Sequence, residues 1–281
     1  MADQTTDQAQ GASPALAEPT IHVRNGWVAG LGLASLGMWM ASYTPLQVLL
    51  PTQLQDIDPH GKIVALAVVS GFGAIASGIA TPIAGALSDN TTSRFAFGRM
   101  TGRRHRWTIG MAVLAAVCLV ALSQMRTVLG VTLLWVLFSA FQNGEFASLS
   151  AAIPDHVPVR QRATVAGWVG MPQALGLVVG TILVVAVFTG LTSGYVVLAV
   201  AMVVLVLPFV LLTPDYPLAA AHSRPFSWRQ LGRSYWISPR EYPDFAWAWF
   251  TRLLMSLAIA MGTLYLLYFL RDKIHYAKLF P

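Results

Sequence analysis

Apolar residues gather along the chain in seven long runs that short polar segments separate. The runs cover about residues 26–50, 63–87, 107–125, 129–153, 163–189, 192–213 and 244–270. A helix needs about 20 apolar residues to cross the hydrocarbon core of a bilayer, and each run is about that long. The pattern therefore predicts seven transmembrane helices and an all-α membrane protein.

The composition supports a membrane protein and excludes several other classes. Of the 281 residues, 56% are hydrophobic and 11% are charged, whereas soluble domains are about 25% charged. A disordered chain, a fibrous repeat and an ordinary water-soluble enzyme are therefore excluded. The net charge of +6 does not indicate nucleic-acid binding, because the arginines lie in loops between apolar runs. The expected partner is the lipid bilayer.

The charges of the loops predict how the chain is oriented. If successive loops lie on opposite sides, one side collects twelve Lys and Arg residues, Arg24 included, and the other collects five. Cytoplasmic loops carry the excess of Lys and Arg, so we expect a multi-pass protein of the cell membrane with a cytoplasmic N-terminus and its C-terminus outside. Residues 1–23 are predicted to form a disordered cytoplasmic tail. Residues 214–243, with Trp228 and Trp236, are predicted to form a cytoplasmic linker at the membrane interface.

Two charged residues fall inside the apolar runs, Glu145 and Arg252. A charge in hydrocarbon costs at least about 2.5 kcal/mol, so each should face protein or water. Glu145 is either a proton or substrate site or a structural hydrogen-bonding group, and the two residues could pair with each other. Four uncharged polar residues in the runs are further candidates for the pathway of a solute or proton, or for helix-to-helix bonds: Tyr43, Gln47, Asn143 and Gln173.

The second and fifth runs are rich in glycine, and each also contains a proline. Small residues let helix backbones approach closely in a membrane, so we expect helix packing at Gly71, Gly78, Gly85, Gly167, Gly170 and Gly176. If runs one to three and four to six are inverted repeats, the second and fifth runs occupy matching positions. Matched interrupted helices of this kind point to a transport pathway, with close packing alone as the alternative.

Two charged loops carry the most specific patterns in the chain. Residues 85–94 read GALSDNTTSR, residues 102–104 read GRR, and residues 154–162 read PDHVPVRQR. These segments resemble loops of the major facilitator superfamily, closest in style to sugar:cation symporter-like branches, in which L-S-D leads into G-R-R and P-D-x-x-P-x-x-x-R follows the fourth helix. The resemblance covers about residues 24–275. Residues 95–101 depart from it as an insertion before the GRR segment.

The resemblance implies a gating role for the charged residues of these loops. In the family this cluster holds the two halves of the transporter together on the cytoplasmic side, which implies such a role for Asp89, Arg94, Arg103, Arg104, Asp155 and Arg162. Independently of the family, Asp89 ends a helix, where the macrodipole disfavours an anion. It therefore needs an arginine such as Arg94 or Arg162, or the N-terminus of another helix. The alternative is that the arginines only set the topology.

The resemblance also implies a function. It is secondary transport by alternating access, proton- or cation-coupled, of a small polar solute such as a sugar. The alternatives are a drug or metabolite exporter of the same superfamily and a membrane remnant that does not transport. Residues 24–213 would form the N-terminal six-helix bundle and residues 244–281 the first helix of an incomplete C-terminal bundle. We therefore expect the chain to be inactive without the missing half or a second chain.

No enzyme, metal site or cofactor is predicted. The chain has no H-E-x-x-H and no G-x-S-x-G motif, and its single cysteine, Cys118, has no Cys/His zinc spacing around it. A retinal protein needs a Schiff-base lysine in its last span, and residues 244–270 contain none.

Overall fold

The computed structural model describes residues 19–91, 103–215, 232 and 238–274, and these residues form helices throughout the bundle. The helices are α1 (Asn25–Thr44), α2 (Leu50–Ile57), α3 (Lys62–Asn90), α4 (Arg103–Leu122), α5 (Val128–His156), α6 (Val159–Ile182), α7 (Leu191–Leu212), α8 (Pro243–Leu264) and α9 (Leu266–Phe269). Short π-helical segments follow α1, α6 and α9, at Pro45–Leu49, Leu183–Val187 and Leu270–Ile274. Each of the seven apolar runs is helical, so the prediction of an all-α membrane fold is confirmed.

Five of the helical segments in the described part of the chain are long and apolar enough to cross a membrane. They are Lys62–Asn90, Arg104–Leu122, Val159–Val187, Leu191–Leu212 and Pro243–Leu264. Helices α1 and α5 form as the pattern predicts but are not among these five. Both lie at the centre of the bundle, where α1 packs on α6 and α7 and α5 packs on α3 and α4. A central helix faces protein on several sides and so tolerates more polar residues than a helix that faces lipid.

The packing of the first six spans has an internal symmetry. Helix α5 packs on α3 and α4, α1 packs on α6 and α7, and α4 packs on α7. Exchanging the spans α1, α3 and α4 with α5, α6 and α7 maps this set of contacts onto itself. The glycine-rich helices α3 and α6 therefore occupy matching positions, as the hypothesis of two inverted repeats requires.

The first span consists of two α-helices joined by a π-helical turn and is not one uniform helix. Pro45 has no N–H to donate and disrupts the regular backbone ladder of an α-helix. The chain responds with the π-helical turn Pro45–Leu49 and continues as α2. In a membrane such local adjustment keeps the backbone groups hydrogen-bonded. Buried Leu49, Leu50 and Leu54 continue the core beyond the turn.

The structure corrects most of the expected glycine packing. Gly176 does pack closely, because a Cβ atom built there would lie 2.9 Å from the backbone nitrogen of Met40 and from the Cβ atom of Trp39 on α1. A Cβ atom on any of the other five meets no heavy atom of the described residues within 4 Å, apart from its chain neighbours and its own helix backbone: Gly71, Gly78, Gly85, Gly167 and Gly170. Glycine content marks a helix that can pack closely, but the side on which its neighbours lie is a property of the bundle.

Most of the predicted tail and linker lie outside the part of the chain that the structure describes. These are residues 1–18 of the tail, and residues 216–231 and 233–237 of the linker. The division of the chain into tail, bundle, linker and a further helix therefore stays a prediction.

Replacing Gly176 by alanine should destabilise the protein. The added methyl group has to displace the backbone of α1, and such overpacking costs about 1–3 kcal/mol. Unfolding can be followed by a thiol-reactive fluorophore, since Cys118 is the single cysteine and is buried. We expect a lower midpoint for labelling on heating in Gly176→Ala.

The matched control for this substitution is Gly170→Ala on the same helix. Its added methyl group meets open space, and alanine is the better helix former, so its midpoint should stay unchanged or rise. Equal midpoints for Gly176→Ala and Gly170→Ala would contradict the close approach of α1 and α6.

Candidate functional site

A polar network joins α3 and α5 about midway along both helices. The Asn143 side-chain nitrogen donates to the hydroxyl of Ser77 at 2.8 Å and to the side-chain oxygen of Gln142 at 2.9 Å. Thr81 donates its hydroxyl to the side-chain oxygen of Asn143 at 3.3 Å. The network is partly buried, and the side chain of Asn143 links α3 to α5 through these hydrogen bonds. Asn143 itself is half-buried.

A second polar pair joins α1 and α6 at a similar depth. Gln173 donates its side-chain N–H to the phenolic oxygen of Tyr43 at 2.6 Å, and this bond is exposed. The ring of Tyr43 stacks on that of Trp39, with 5.1 Å between centroids and an interplanar angle of 14°. Trp39 also meets the ring of Phe146 on α5 edge-on at 5.7 Å. The arrangement offers a ligand an aromatic surface with a hydroxyl and an amide beside it.

Glu145 lies next to Phe146 in the middle of α5. Its exposed fraction is 0%, and neither carboxyl oxygen has a hydrogen-bond partner among the residues described. The structure shows no structural hydrogen bond for Glu145 among the described residues. A role as a proton or substrate site therefore stays open. A buried carboxyl group without a partner is a costly feature.

In the described chain, the helices that pack on α5 have no charged side chain at the level of Glu145. On α3 and α6 the charged residues lie at the helix ends, as Lys62, Asp89, Arg160 and Arg162, and on α4 they lie in its first turn. Helix α1 has none between Asn25 and Thr44. Tyr43 and Cys118 are the remaining titratable side chains of those helices at intermediate depth.

Two other sequence-predicted residues lie away from this centre. Arg252 is exposed on α8, a helix with no buried residue, and makes no ion pair with Glu145. The pair that the sequence left possible is therefore absent. Gln47 lies half-buried in the π-helical turn after α1, and no hydrogen bond joins its side chain to another described residue.

A buried arginine organises one end of the bundle, which we call the arginine end and define by Asp89, Arg104 and Asp155. The side chain of Arg104 binds the carboxylate of Asp89 at 2.5 Å and that of Asp155 at 2.8 Å. It also donates to the hydroxyl of Ser88 at 2.9 Å. One guanidinium therefore ties the end of α3 and the end of α5 to the start of α4.

These contacts identify one arginine partner of Asp89. The helix-end anion is neutralised as electrostatics requires, but by Arg104, not by Arg162. Arg162 donates to the backbone carbonyls of Val157 and Pro154 instead. Arg94 lies outside the described residues, and the side chain of Arg103 is likewise outside them. Sequence spacing could not select the partner, because the insertion before the GRR segment leaves the register of the arginines open.

Two further residues lie at the arginine end that the sequence did not indicate, Asp215 and His105. The carboxylate of Asp215, just after α7, accepts the backbone N–H of His105 at 2.8 Å. The Nε2 atom of the His105 ring lies 3.1 Å from the hydroxyl oxygen of Thr213. An acidic residue near a helix N-terminus is favourable, but Asp215 is 110 positions away in the chain, and no local signal connects it to α4.

Comparison with known proteins identifies the family. The family model of the major facilitator superfamily matches residues 28–280. The chain belongs to the major facilitator superfamily. It is therefore a multi-pass membrane protein of a family of secondary transporters. No curated protein sequence matches it.

Removing the charge of Arg104 should strongly destabilise this major facilitator chain. Arg104→Gln leaves Asp89 and Asp155 without their shared cation. Breaking a buried ion pair from one side costs about 3–5 kcal/mol, and since both carboxylates are partly exposed we expect about 2–3 kcal/mol here. We expect a large fall in the midpoint of Cys118 labelling on heating.

Arg162→Gln is the matched control at the same end of the bundle. It removes hydrogen bonds to backbone carbonyls only, at a net cost of about 1 kcal/mol. If Arg104→Gln proved no more harmful than Arg162→Gln, the central place of Arg104 at the arginine end would be disproved.

Proposed function

We propose that this protein is a proton- or cation-coupled transporter of a small polar solute such as a sugar, working by alternating access. Membership of the family supports transport in general. The observation that carries the finer proposal is the open site at mid-depth formed by Trp39, Tyr43 and Gln173. In secondary transporters the solute site lies near the bilayer midplane.

The chemistry of this site suits a sugar. One face of a sugar ring presents C–H groups, which pack well against a flat aromatic surface such as the stacked rings of Trp39 and Tyr43. The hydroxyl groups at its edge need donors and acceptors, and Tyr43 and Gln173 supply both kinds. Solute sites in proteins combine apolar walls with a few polar groups of this sort. The exposed bond between Tyr43 and Gln173 can be exchanged for bonds to a bound solute.

Solute binding by the purified chain in lipid nanodiscs tests this site. A panel of monosaccharides and disaccharides is screened by calorimetric titration. For a sugar that binds, Trp39→Ala should lower the affinity about tenfold, because it removes the aromatic surface. Tyr43→Phe should weaken it by about fivefold, since it removes one hydrogen bond. Trp247→Ala, at the exposed start of α8, is the control and should bind normally.

Two outcomes would count against the sugar proposal. One is that no sugar of the panel binds to the chain. The other is that Trp39→Ala and Trp247→Ala weaken binding equally. Apolar drugs that bind at the same site and respond to Trp39→Ala but not to Tyr43→Phe would instead favour the exporter within the same superfamily.

Glu145 is the proposed proton-carrying residue. It is fully buried, its carboxyl oxygens have no partner among the described residues, and it adjoins Phe146, which contacts Trp39. An ionised carboxylate in such a position is far more costly than the neutral acid. Ionisable residues inside a membrane commonly serve as proton relays. The short path through Phe146 and Trp39 would couple the charge of Glu145 to the solute site.

Replacing Glu145 by glutamine tests this coupling. Glutamine has the shape of the neutral acid and cannot release a proton. For the wild-type chain we expect solute to bind more tightly at acid than at neutral pH, by about tenfold, a coupling of ordinary size. In Glu145→Gln the affinity should no longer depend on pH.

The control for pH dependence is Glu241→Gln, which changes an exposed glutamate outside the bundle. Its pH profile should match that of the wild-type chain. A Glu145→Gln protein that kept the wild-type profile would exclude Glu145 as the coupling group, while the solute site itself could still be judged from Trp39→Ala.

The arginine end is proposed to act as the cytoplasmic gate. The excess of Lys and Arg on that side supports a cytoplasmic position for this end and for the N-terminus. Asp89 stays half-exposed although it is bound to Arg104, so this ion pair lies within reach of the residues that would cover this end when the transporter closes. Asp155 and Arg104 would hold Asp89 in place, with Arg94, Arg103 and Arg162 adding positive charge at this side.

A further inference from the structure

A cavity of about 890 Å³ opens at the end of the bundle opposite to the arginine end. It lies among the end of α2, the segment between α4 and α5, and the start of α7. Ligand pockets in proteins commonly measure about 300–1,000 Å³. The cavity therefore has the size of a small-molecule site, and it is separate from the residues of the proposed solute and proton pathway.

The inner wall of the cavity is rigidly built. Gln53 is 1% exposed, and its side-chain nitrogen donates to the carbonyl oxygens of Leu122 at 2.9 Å and Met125 at 3.0 Å. Its side-chain oxygen accepts the hydroxyl of Tyr195 at 2.9 Å. One amide thus joins α2 to the end of α4 and to α7. The wall is held by these bonds whether or not the cavity contains a ligand.

Three of the neutral polar side chains of the wall are already engaged by the protein itself. Ser123 donates to the carbonyl of Val120 at 2.7 Å, Ser193 donates to the carbonyl of Gly190 at 3.0 Å, and both N–H groups of Gln53 are used. Thr192 adds one neutral hydroxyl to the lining. The strongest contacts to a ligand therefore fall to the charged residues of the lining.

Two residues of opposite charge line this cavity, Asp56 and Arg126. Both are exposed. They are not joined to each other by an ion pair, and neither makes a hydrogen bond or ion pair with the rest of the described chain. A ligand that carried a cation and an anion together could satisfy both at once. Charge-assisted hydrogen bonds of this kind are about twice as strong as neutral ones.

We propose that this cavity binds an ampholyte, a group that carries a primary ammonium and a phosphate or carboxylate side by side. The ammonium donates to the carboxylate of Asp56, and the anion accepts from the guanidinium of Arg126, whose planar fork of N–H groups can bind two oxygens of a phosphate or carboxylate. The headgroup of a phosphoethanolamine lipid and a free small ampholyte share this chemistry. The cavity lies at the ends of membrane-spanning helices, the level at which lipid headgroups are found.

The purified, delipidated chain is tested with short-chain lipids by native mass spectrometry. Phosphatidylethanolamine carries both charges and a donating ammonium, phosphatidylcholine carries an ammonium that cannot donate, and phosphatidylglycerol carries only the anion. We expect the first to bind at least tenfold more tightly than the other two. Soluble phosphoethanolamine, tested by calorimetry, separates the sources, since its binding indicates a free ampholyte and binding of the lipid alone indicates a headgroup. Either result supports the site.

Arg126→Gln and Asp56→Asn should each lower the affinity for phosphatidylethanolamine by at least tenfold. Arg160→Gln and Asp244→Asn make the same changes at exposed positions near the other end and should leave binding unchanged. Protection of Cys118 from labelling checks that each variant is folded, and the comparison of lipids on the wild-type chain stands without any variant. Equal binding of the three lipids without binding of soluble phosphoethanolamine, or binding that survives both Arg126→Gln and Asp56→Asn, would overturn the proposal.

Discussion

The ion pairs of a single buried guanidinium are the interaction on which the rest of the bundle depends. Arg104 is 3% exposed and binds Asp89, Asp155 and Ser88 together. A buried charge is tolerated only when it is paired and hydrogen-bonded, so the ends of α3 and α5 have to meet at the start of α4. His105 extends the tie to α7 through Asp215. Four of the six spans in the bundle (α3, α4, α5 and α7) are thereby held in register at one end.

Register at the arginine end bears directly on the site at mid-depth. Helices that are aligned at one end bring their middle residues to a common level, since each residue adds about 1.5 Å of rise. Asn143 on α5 then meets Ser77 on α3. At the same end the side chain of Gln161 on α6 bonds the backbone of Val23 just before α1, and farther along these two helices Gln173 meets Tyr43. At the far end Gln53 makes a second tie through its three hydrogen bonds. The two ends therefore fix the frame within which these polar contacts at mid-depth form.

Much of the candidate site could be found from residue type alone, because polar residues stand out in apolar runs. Tyr43, Asn143 and Gln173 take part in interhelical bonds, and Glu145 is buried without a partner among the described residues. The partners themselves were harder to find. Asp89 pairs with Arg104, and most of the expected glycine contacts are absent from the described bundle. Both depend on which side of a helix faces which neighbour, and a helix that is apolar on all sides carries no such signal.

The sequence by itself determined the helical type and the approximate bounds of the seven apolar runs. Hydrocarbon offers no partner for a backbone N–H or C=O group, so each apolar run had to become a helix that satisfies its own backbone. Only the tertiary structure decided which faces meet, which arginine neutralises Asp89, and that Asp56 and Arg126 share one cavity. These outcomes depend on distances between residues far apart in the chain, which are set by the packing of whole helices and not by any local pattern.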